Sequence, residues 1–206
     1  MPDSGIGRSS AGPVVLILAS GRGERFRASG GQVHKLDAML DGATVLSRTL
    51  KAVRESGLQW HLERAEHPGM GQSLAAAARA TPGASGWLIL PADMPLVRAA
   101  SLRAVAGALM ANVISDMAPR AIVPFFNQIQ GHPVAFSAHC REALEVLSGD
   151  VGARQVLRDL RSKGLVQDLA LDDDGVVLDI DTLADLEQAD RVVQARKARA
   201  VKSAEA

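Results

Sequence analysis

Tyrosine is absent from this 206-residue chain, tryptophan and phenylalanine together make up about 3% of it, and cysteine occurs once. So few rings leave no platform on which successive nucleic-acid bases could stack. The lone Cys140 permits neither an intramolecular disulfide nor a cysteine zinc cluster. Basic and acidic side chains balance at 23 each, so no overall field draws the chain to nucleic acid or to a membrane. No apolar run approaches the roughly 20 residues of a membrane helix. The opening MPDSGIGRSSAG lacks the apolar centre of a secretory signal and reads as a disordered leader over residues 1–12. The chain as a whole, 47% hydrophobic and 22% charged, suits an ordinary soluble fold. The expectation is one cytoplasmic domain over 13–195 with a polar tail over 196–206, and neither nucleic acid nor membrane as partner.

What the chain does have is a conspicuous stretch from Val14 to Lys35. Val14-Val15-Leu16-Ile17-Leu18-Ala19 is apolar without alternation, as in a strand buried on both faces of a parallel sheet. It stops at Ser20-Gly21-Arg22-Gly23. The two glycines allow a sharp turn and a close approach of backbone to a ligand. Successive amides in such a turn can face an anion, and Arg22, Arg25 and Lys35 add positive charge around the same place. The stretch is either a surface turn after a core strand or a seat for a polyphosphate. It is not a P-loop, because no G-x-x-x-x-G-K-[ST] occurs. The dinucleotide fingerprint G-x-G-x-x-G fails at Phe26.

Further along, strand and helix patterns alternate. Thr44 caps a helix expected to run to Ser56 and end at Gly57, and Leu58–Ala65 alternates as a strand. An alanine-rich helix to Ala80 follows Gly69-Met70-Gly71. Trp87–Leu90 is a second buried strand, and a helix is expected over Ser101–Ala111. Ala121–Pro124 is a third strand, Phe125–Gln130 a connection, and Val134–Phe136 a fourth strand. Helices are expected over Ala138–Leu147 and Ala153–Lys163. Val166–Leu171 and Val176–Ile180 read as strands flanking a solvated turn at Asp172–Gly175. A last helix starts at Thr182, with Asp185 placed for a near capping box. The alternation predicts a three-layer α/β fold of Rossmann type: a mainly parallel sheet with helices on both faces. In such sheets ligands lie at the carboxyl ends of the strands, where the glycine turn and Asp93 both fall.

Several side chains in these places could carry chemistry. Asp93 leaves a buried strand between Pro91 and Pro95, so it is either a turn cap or a rigid Mg²⁺ ligand. Asp179 and Asp181 would share a face in strand geometry, and Asp181 could instead serve the N-terminus of the last helix. Gly69–Leu74 is either a flexible lead-in to a helix or a backbone that approaches a base, with Ser73 in reach of base or ribose. His132, set between Gly131 and Pro133, is the histidine most constrained by its neighbours, as a packed or a functional ring.

The strings LASGRGERF with a following lysine, HPGMGQSL, LILPADMP, GHPVAF, GDVGAR and DIDTLADL occur in an order that resembles the nucleotidyltransferase family that includes molybdenum cofactor cytidylyltransferase. The resemblance spans Val14 to Leu186. It implies transfer of a nucleoside monophosphate from an NTP to a phosphorylated acceptor, with release of pyrophosphate. In that branch the acceptor is molybdopterin carrying molybdenum, and a molybdoenzyme is a further possible partner. By resemblance, Gly21, Gly23 and Arg25 would wrap the triphosphate, with Lys35 neutralising its charge, and Leu18, Ala19, Ser20 and Arg22 would belong to the same nucleotide-binding stretch. Gly71, Ser73 and Leu74 would lie at the nucleoside. Asp93 and Asp181 would hold Mg²⁺, with Lys35, Arg25 and Asp93 as the catalytic set. Gly131, His132 and Asp150 would face the acceptor. Leu-Ala-Ser-Gly is closer to the Leu-Ala-Ala-Gly of cytidylyl members than to Leu-Ala-Gly-Gly, which favours CTP.

Two features depart from the family pattern. Phe26–His34 is longer than the usual spacing before the lysine, and Leu58–Pro68 is short where a further strand and helix are usual, which implies a changed sheet edge. Two rival readings follow. One is a nucleotidyltransferase acting on a sugar phosphate or polyol phosphate. The other is a non-catalytic nucleotide or cofactor carrier that serves maturation of a molybdoenzyme.

Overall fold

A computed structural model describes residues 12–111 and 119–204. In chain order the elements are β1 (Val14–Leu18), α1 (Glu24–Ala28), β2 (Met39–Leu40), β3 (Ala43–Thr44), α2 (Val45–Ser56), β4 (Gln59–Glu63), α3 (Met70–Arg79) and β5 (Gly86–Pro91). They continue with α4 (Ala99–Ala111), β6 (Ala121–Phe126), β7 (Ile129–Gln130), β8 (Val134–Ser137), α5 (Arg141–Glu145), α6 (Arg154–Ser162), β9 (Val166–Ala170) and α7 (Leu183–Ala204).

Seven strands form one sheet in the order β4-β1-β5-β8-β6, with β7 and β9 also paired to β6. Strands β4, β1, β5, β6 and β9 run one way; β8 and β7 run against them. The alternation of side chains across each strand sorts the core into two layers. Val15, Ile17, Leu88, Leu90, Ile122 and Ala135 face α2, α4 and α7. Val14, Leu16, Trp87, Ile89, Val123 and Phe136 face α3, α5 and α6. The runs that lacked alternation are thus the strands buried on both sides, and the three-layer α/β expectation holds.

Local signals explain the helix ends. Thr44 accepts from the Ser47 amide at 3.1 Å and starts α2, and Gly57 at φ 72° ends it. The Asp185 carboxylate accepts from the Thr182 amide at 2.7 Å while Thr182 accepts from the Asp185 amide, a reciprocal cap for α7. Buried Trp87 satisfies its indole N–H on Thr81 at 2.9 Å.

Three expectations are corrected. Phe125–Gln130 is a hairpin rather than a connection: Phe126 pairs with Ile129 across Asn127 and Gln128, both at positive φ. Val176–Ile180 is not a strand. A single 3₁₀ turn at Asp174–Val176 is followed by irregular chain pinned to other segments. Nor is Asp172–Gly175 a solvated turn. Asp173 is 2% exposed and accepts from the Arg98 amide (2.9 Å), the Ser101 hydroxyl (2.6 Å), the Gly175 amide (3.0 Å) and the Arg196 guanidinium (3.0 Å).

The short segment after α2 supplies β4 alone, which pairs directly with β1 as the edge strand. The proposed leader lies outside the described residues except for Gly12. At the other end α7 continues through Ala204, with Arg196 bonded to the Leu96 carbonyl and Lys197 to Asp41.

Candidate active site

The carboxyl ends of β1 and β5 lie side by side, since Leu18 pairs with Pro91 in parallel register. The chain leaves each strand in a turn, so both turns rise on the same edge of the sheet. The first carries Ser20–Gly23 and the second carries Asp93. Gly23 takes φ 64°, a conformation glycine enters freely, and it forms the boundary of α1. The long loop after α1 folds back over buried Phe26: the Gly31 amide donates to the Phe26 carbonyl, and a Cβ on Gly31 would strike the Phe26 ring at 2.2 Å. That loop delivers His34 and Lys35. His34 contacts the Gly21 carbonyl at 2.9 Å, and Lys35 opens a 3₁₀ turn pointing back at the second strand end.

Lys35 Nζ lies 2.6 Å from Asp93 Oδ2 and 2.6 Å from Asp181 Oδ1. Arg25 donates to the other oxygen of Asp181 at 2.8 Å. The Ile180 amide donates to the Asp93 carbonyl at 3.0 Å, which is how a segment nearly ninety residues downstream reaches this edge. Donor oxygens of Asp93, Asp179 and Asp181 all lie within 4.8 Å of one another. Three carboxylates against two cations leave the cluster one negative charge in excess.

Neither aspartate serves the cap that the sequence left open as its alternative role. Helix capping falls to Thr182 and Asp185, so the Asp181 carboxylate is free for Lys35 and Arg25. Asp93 caps no turn: its Oδ1 is buried and accepts from no group among the described residues. An orphaned buried carboxylate oxygen among oxygen-only donors fits a hard divalent cation such as Mg²⁺ or Mn²⁺. Asp93, Asp179 and Asp181 are the residues that could hold it. Asp179 was not singled out as a ligand from the sequence, although its i, i+2 relation to Asp181 was the available signal.

Charge states follow from these contacts. Burial pushes the Lys35 pKa down, but Asp93 and Asp181 together outweigh it and raise the value. Partial burial pushes Asp181 up, and Lys35 and Arg25 outweigh it, so Asp181 is held below the usual carboxylate range. Asp179 is raised by desolvation first and then by the charges of Asp93 and Asp181. His132 is lowered by enclosure, which the Ile89 carbonyl and the Asp93 charge offset only in part. Its Nδ1 sits 3.4 Å from the Ile89 carbonyl; a carbonyl only accepts, so the proton is on Nδ1 and Nε2 carries the lone pair.

The other residues singled out are placed as follows. Leu18 and Ala19 end β1, and Arg22 is exposed beside Glu24. Ser20 donates to Ser73 at 2.9 Å, tying the glycine turn to the first turn of α3. The Ser73 side chain is fully buried, and Leu74 at 1% exposed is part of the core. The Gly71 amide donates to the Gly149 carbonyl at 2.7 Å, and a Cβ there would meet the Ser148 carbonyl at 2.6 Å. Gly69 similarly approaches Asp150. The 69–71 and 148–150 segments are therefore packed together. Gly131 is required by the Val176 carbonyl, which a Cβ would meet at 2.4 Å, and the His132 amide donates to that same carbonyl at 2.7 Å. Glu63, which drew no attention in the sequence, ends β4 beside the glycine turn. Its carbonyl accepts from the Ala19 amide, and its buried carboxylate lies between His61 and His67.

A glycine turn and a carboxylate cluster on the carboxyl edge of a doubly wound sheet define a nucleotide-handling α/β transferase. The family is specific: this chain belongs to the MobA-like NTP transferase domain family, whose sequence profile matches residues 15–165. Asp179 and Asp181 lie just beyond the matched stretch. Among solved structures, the manganese complex of Rv0371c from Mycobacterium tuberculosis H37Rv is 25% identical, covering 86% of this chain and 97% of that one with a TM-score of 0.65. A nucleotidyl transferase from Methanothermobacter thermautotroptrophicus is 20% identical, with coverages of 89% and 99% and a TM-score of 0.70. Molybdopterin-guanine dinucleotide biosynthesis protein A from Archaeoglobus fulgidus is 16% identical, with coverages of 88% and 99% and a TM-score of 0.58. The last two speak for the fold. No curated protein matches the chain. Among the described residues, no helix is long and apolar enough to cross a membrane.

Proposed function

We propose that this nucleotidyltransferase moves CMP from Mg²⁺-CTP to a phosphorylated small molecule, molybdopterin carrying molybdenum being the favoured acceptor, and releases pyrophosphate. The observation that carries the reading is the Lys35 ammonium held between Asp93 and Asp181 beside the Gly21–Gly23 turn. Fixed positive charge, backbone amides and paired carboxylates meet there on one edge, as transfer from a triphosphate demands.

The chemistry asks little of a general base. The acceptor phosphate is already an oxyanion. One of its oxygens forms a bond to the α-phosphorus, the bond from that phosphorus to the bridging oxygen of the β-phosphate breaks, and pyrophosphate leaves with the electron pair. No proton need move. The amides of Ser20–Gly23 cradle the phosphates, and Lys35 with Arg25 offsets the charge that builds on the leaving group. Asp93, Asp179 and Asp181 would hold Mg²⁺, which would supply further charge neutralisation to the reaction. Ser20 keeps the glycine turn and α3 in one arrangement, so the nucleoside meets a preformed floor. Gly131, His132 and Asp150 are the proposed acceptor side. His132 offers a neutral ring whose Nε2 can accept but not donate.

The preference for CTP rests on Ser20 in Leu-Ala-Ser-Gly, and the preference for molybdopterin on the family. A coupled assay of pyrophosphate release with CTP, GTP, ATP and UTP, each tried with molybdenum cofactor and with sugar and polyol phosphates, tests both. Selective turnover of CTP with molybdenum cofactor is expected. Turnover with a sugar phosphate alone would move the protein to the rival acceptor class. Binding of nucleotide without turnover on any acceptor would favour the carrier reading.

A further inference from the structure

Lys35 is bonded to the residues proposed to hold the metal, while the reaction calls for it at the phosphates. We propose that Lys35 is an internal counter-ion that competes with the divalent cation for Asp93 Oδ2 and Asp181 Oδ1, so that metal binding displaces the ammonium and releases it to the triphosphate. The inference rests on the metal-dependent transferase reading above.

The geometry sets the two cations in competition at these oxygens. The ammonium sits 2.6 Å from both. A Mg²⁺-sized ion bonds carboxylate oxygens at about 2.0–2.1 Å, so sharing both would press two positive charges into contact with little water between them. The oxygens left over make a thinner site. Asp181 Oδ2 is taken by Arg25, which leaves Asp93 Oδ1 and the Asp179 carboxylate, two of the three acidic residues. Full use of the carboxylates requires the ammonium to leave.

The lysine also has somewhere to go. Its stem runs beside Gly23, where a Cβ would stand 3.5 Å from Lys35 Cγ and 3.3 Å from the His34 ring. With its stem already against the glycine turn, the flexible side chain needs only rotation about its own bonds to swing the ammonium from the carboxylates toward that turn in this proposal. Before metal arrives, Lys35 screens the mutual repulsion of the acidic cluster and is withheld from nucleotide. Once metal is bound, the same charge becomes available to the phosphates. Metal and triphosphate therefore bind with positive coupling beyond chelation of one by the other.

The test is a Mn²⁺ titration of the nucleotide-free protein, read by electron paramagnetic resonance. Lys35→Met keeps the stem and removes the competitor, and its Mn²⁺ Kd is expected to fall at least tenfold. Arg22→Met removes a charge of the same sign from the glycine turn without touching a carboxylate of the cluster, since among the described residues the Arg22 guanidinium pairs with Glu24; its Kd should change less than threefold. Equal tightening in both variants would reduce the effect to the general field and overturn the proposal. Weaker Mn²⁺ binding in Lys35→Met, with an unchanged thermal melt, would also overturn it, by making the lysine an organiser of the carboxylates. If Lys35→Met does not fold, ¹⁵N-lysine spectra of the wild-type chain decide. The Lys35 ammonium resonance must shift on addition of Mg²⁺, and a stationary signal refutes displacement. A wild-type protein that binds Mg²⁺-CTP and turns over, yet shows no lysine effect, fails this inference alone. One that binds neither Mn²⁺ nor Mg²⁺-CTP fails the functional reading with it.

Discussion

The Ile180 amide donates to the Asp93 carbonyl at 3.0 Å, so the backbone, rather than the side chains, brings the two acidic segments together. The carboxylates then repel one another in a register that folding has already set, and cations are recruited to them. Asp93→Asn tests this division. Lys35 keeps Asp181 as a partner and the acidic cluster loses one repelling charge, so the melt should change by no more than about 1–2 kcal/mol in stability. Turnover measured by pyrophosphate release should drop by at least about 10²-fold. Activity within threefold of wild type would remove Asp93 from the catalytic set.

Asp173 and Arg196 form the anchor behind that register. The carboxylate is buried and satisfied by donors from four positions: Arg98, Ser101, Gly175 and Arg196. Gly175 packs so closely on Leu96 that a Cβ would meet its carbonyl at 2.0 Å. Asp173→Asn keeps the volume but halves the acceptor capacity and takes the buried negative charge from Arg196, which keeps only the Leu96 carbonyl and Asp174. A loss of about 2–4 kcal/mol is expected in urea unfolding. Ser101→Ala, which removes one neutral donor, should lose only about 1 kcal/mol. Similar small losses in both would mean that the buried charge contributes little.

These two networks show where the sequence was readable and where it was not. Val14–Ala19 and Trp87–Leu90 announced themselves as strands because burial on both faces leaves no alternation. The glycine turn and Asp93 then fell at strand ends by position alone. Lys35, Asp93 and Asp181 were nameable through resemblance to a family, but their convergence depends on pairing across long stretches of chain, which no local pattern encodes. Val176–Ile180 failed as a strand for a related reason. Val176 and Ile180 are buried and Val177 and Leu178 half-buried in the core layer that also holds Leu96 and Val97, and the stretch has no strand partner. Asp172–Asp174 looked solvated because acidic runs usually are; its neutralising partner, Arg196, lies 23 residues away on α7.

Phe125–Gln130 escaped notice because its turn carries Asn-Gln where hairpins favour Asn-Gly. Asn127 at φ 47° and Gln128 at φ 66° both occupy left-handed backbone, which costs a residue with a Cβ and costs glycine nothing. Both are exposed. Gln128→Gly should therefore raise stability by up to about 1 kcal/mol in thermal unfolding, despite the greater freedom of glycine in the unfolded chain. A lower melting temperature would mean that Gln128 holds the hairpin by its side chain.

His132 gives a dependence on pH with a definite sign. An unfolded histidine titrates near 6.5, and enclosure lowers the folded value below that. Between the two values the unfolded chain binds a proton and the folded chain does not, so stability falls as the pH drops below about 6.5 and levels only beneath the folded pKa. Above pH 7 both states are neutral and the contribution is constant. His132→Gln can still donate to the Ile89 carbonyl but cannot titrate. The wild type should therefore lose stability relative to the variant between pH 7.5 and pH 5, by about 1.4 kcal/mol for each pH unit separating the two pKa values. The other histidines are common to both proteins and cancel in the difference. A difference that stays flat across this range would mean that the ring is equally ready to protonate folded and unfolded, and a widening in the opposite sense would mean that the nearby Asp93 charge holds it as a cation. Either result would remove the neutral His132 ring from the acceptor side of the site.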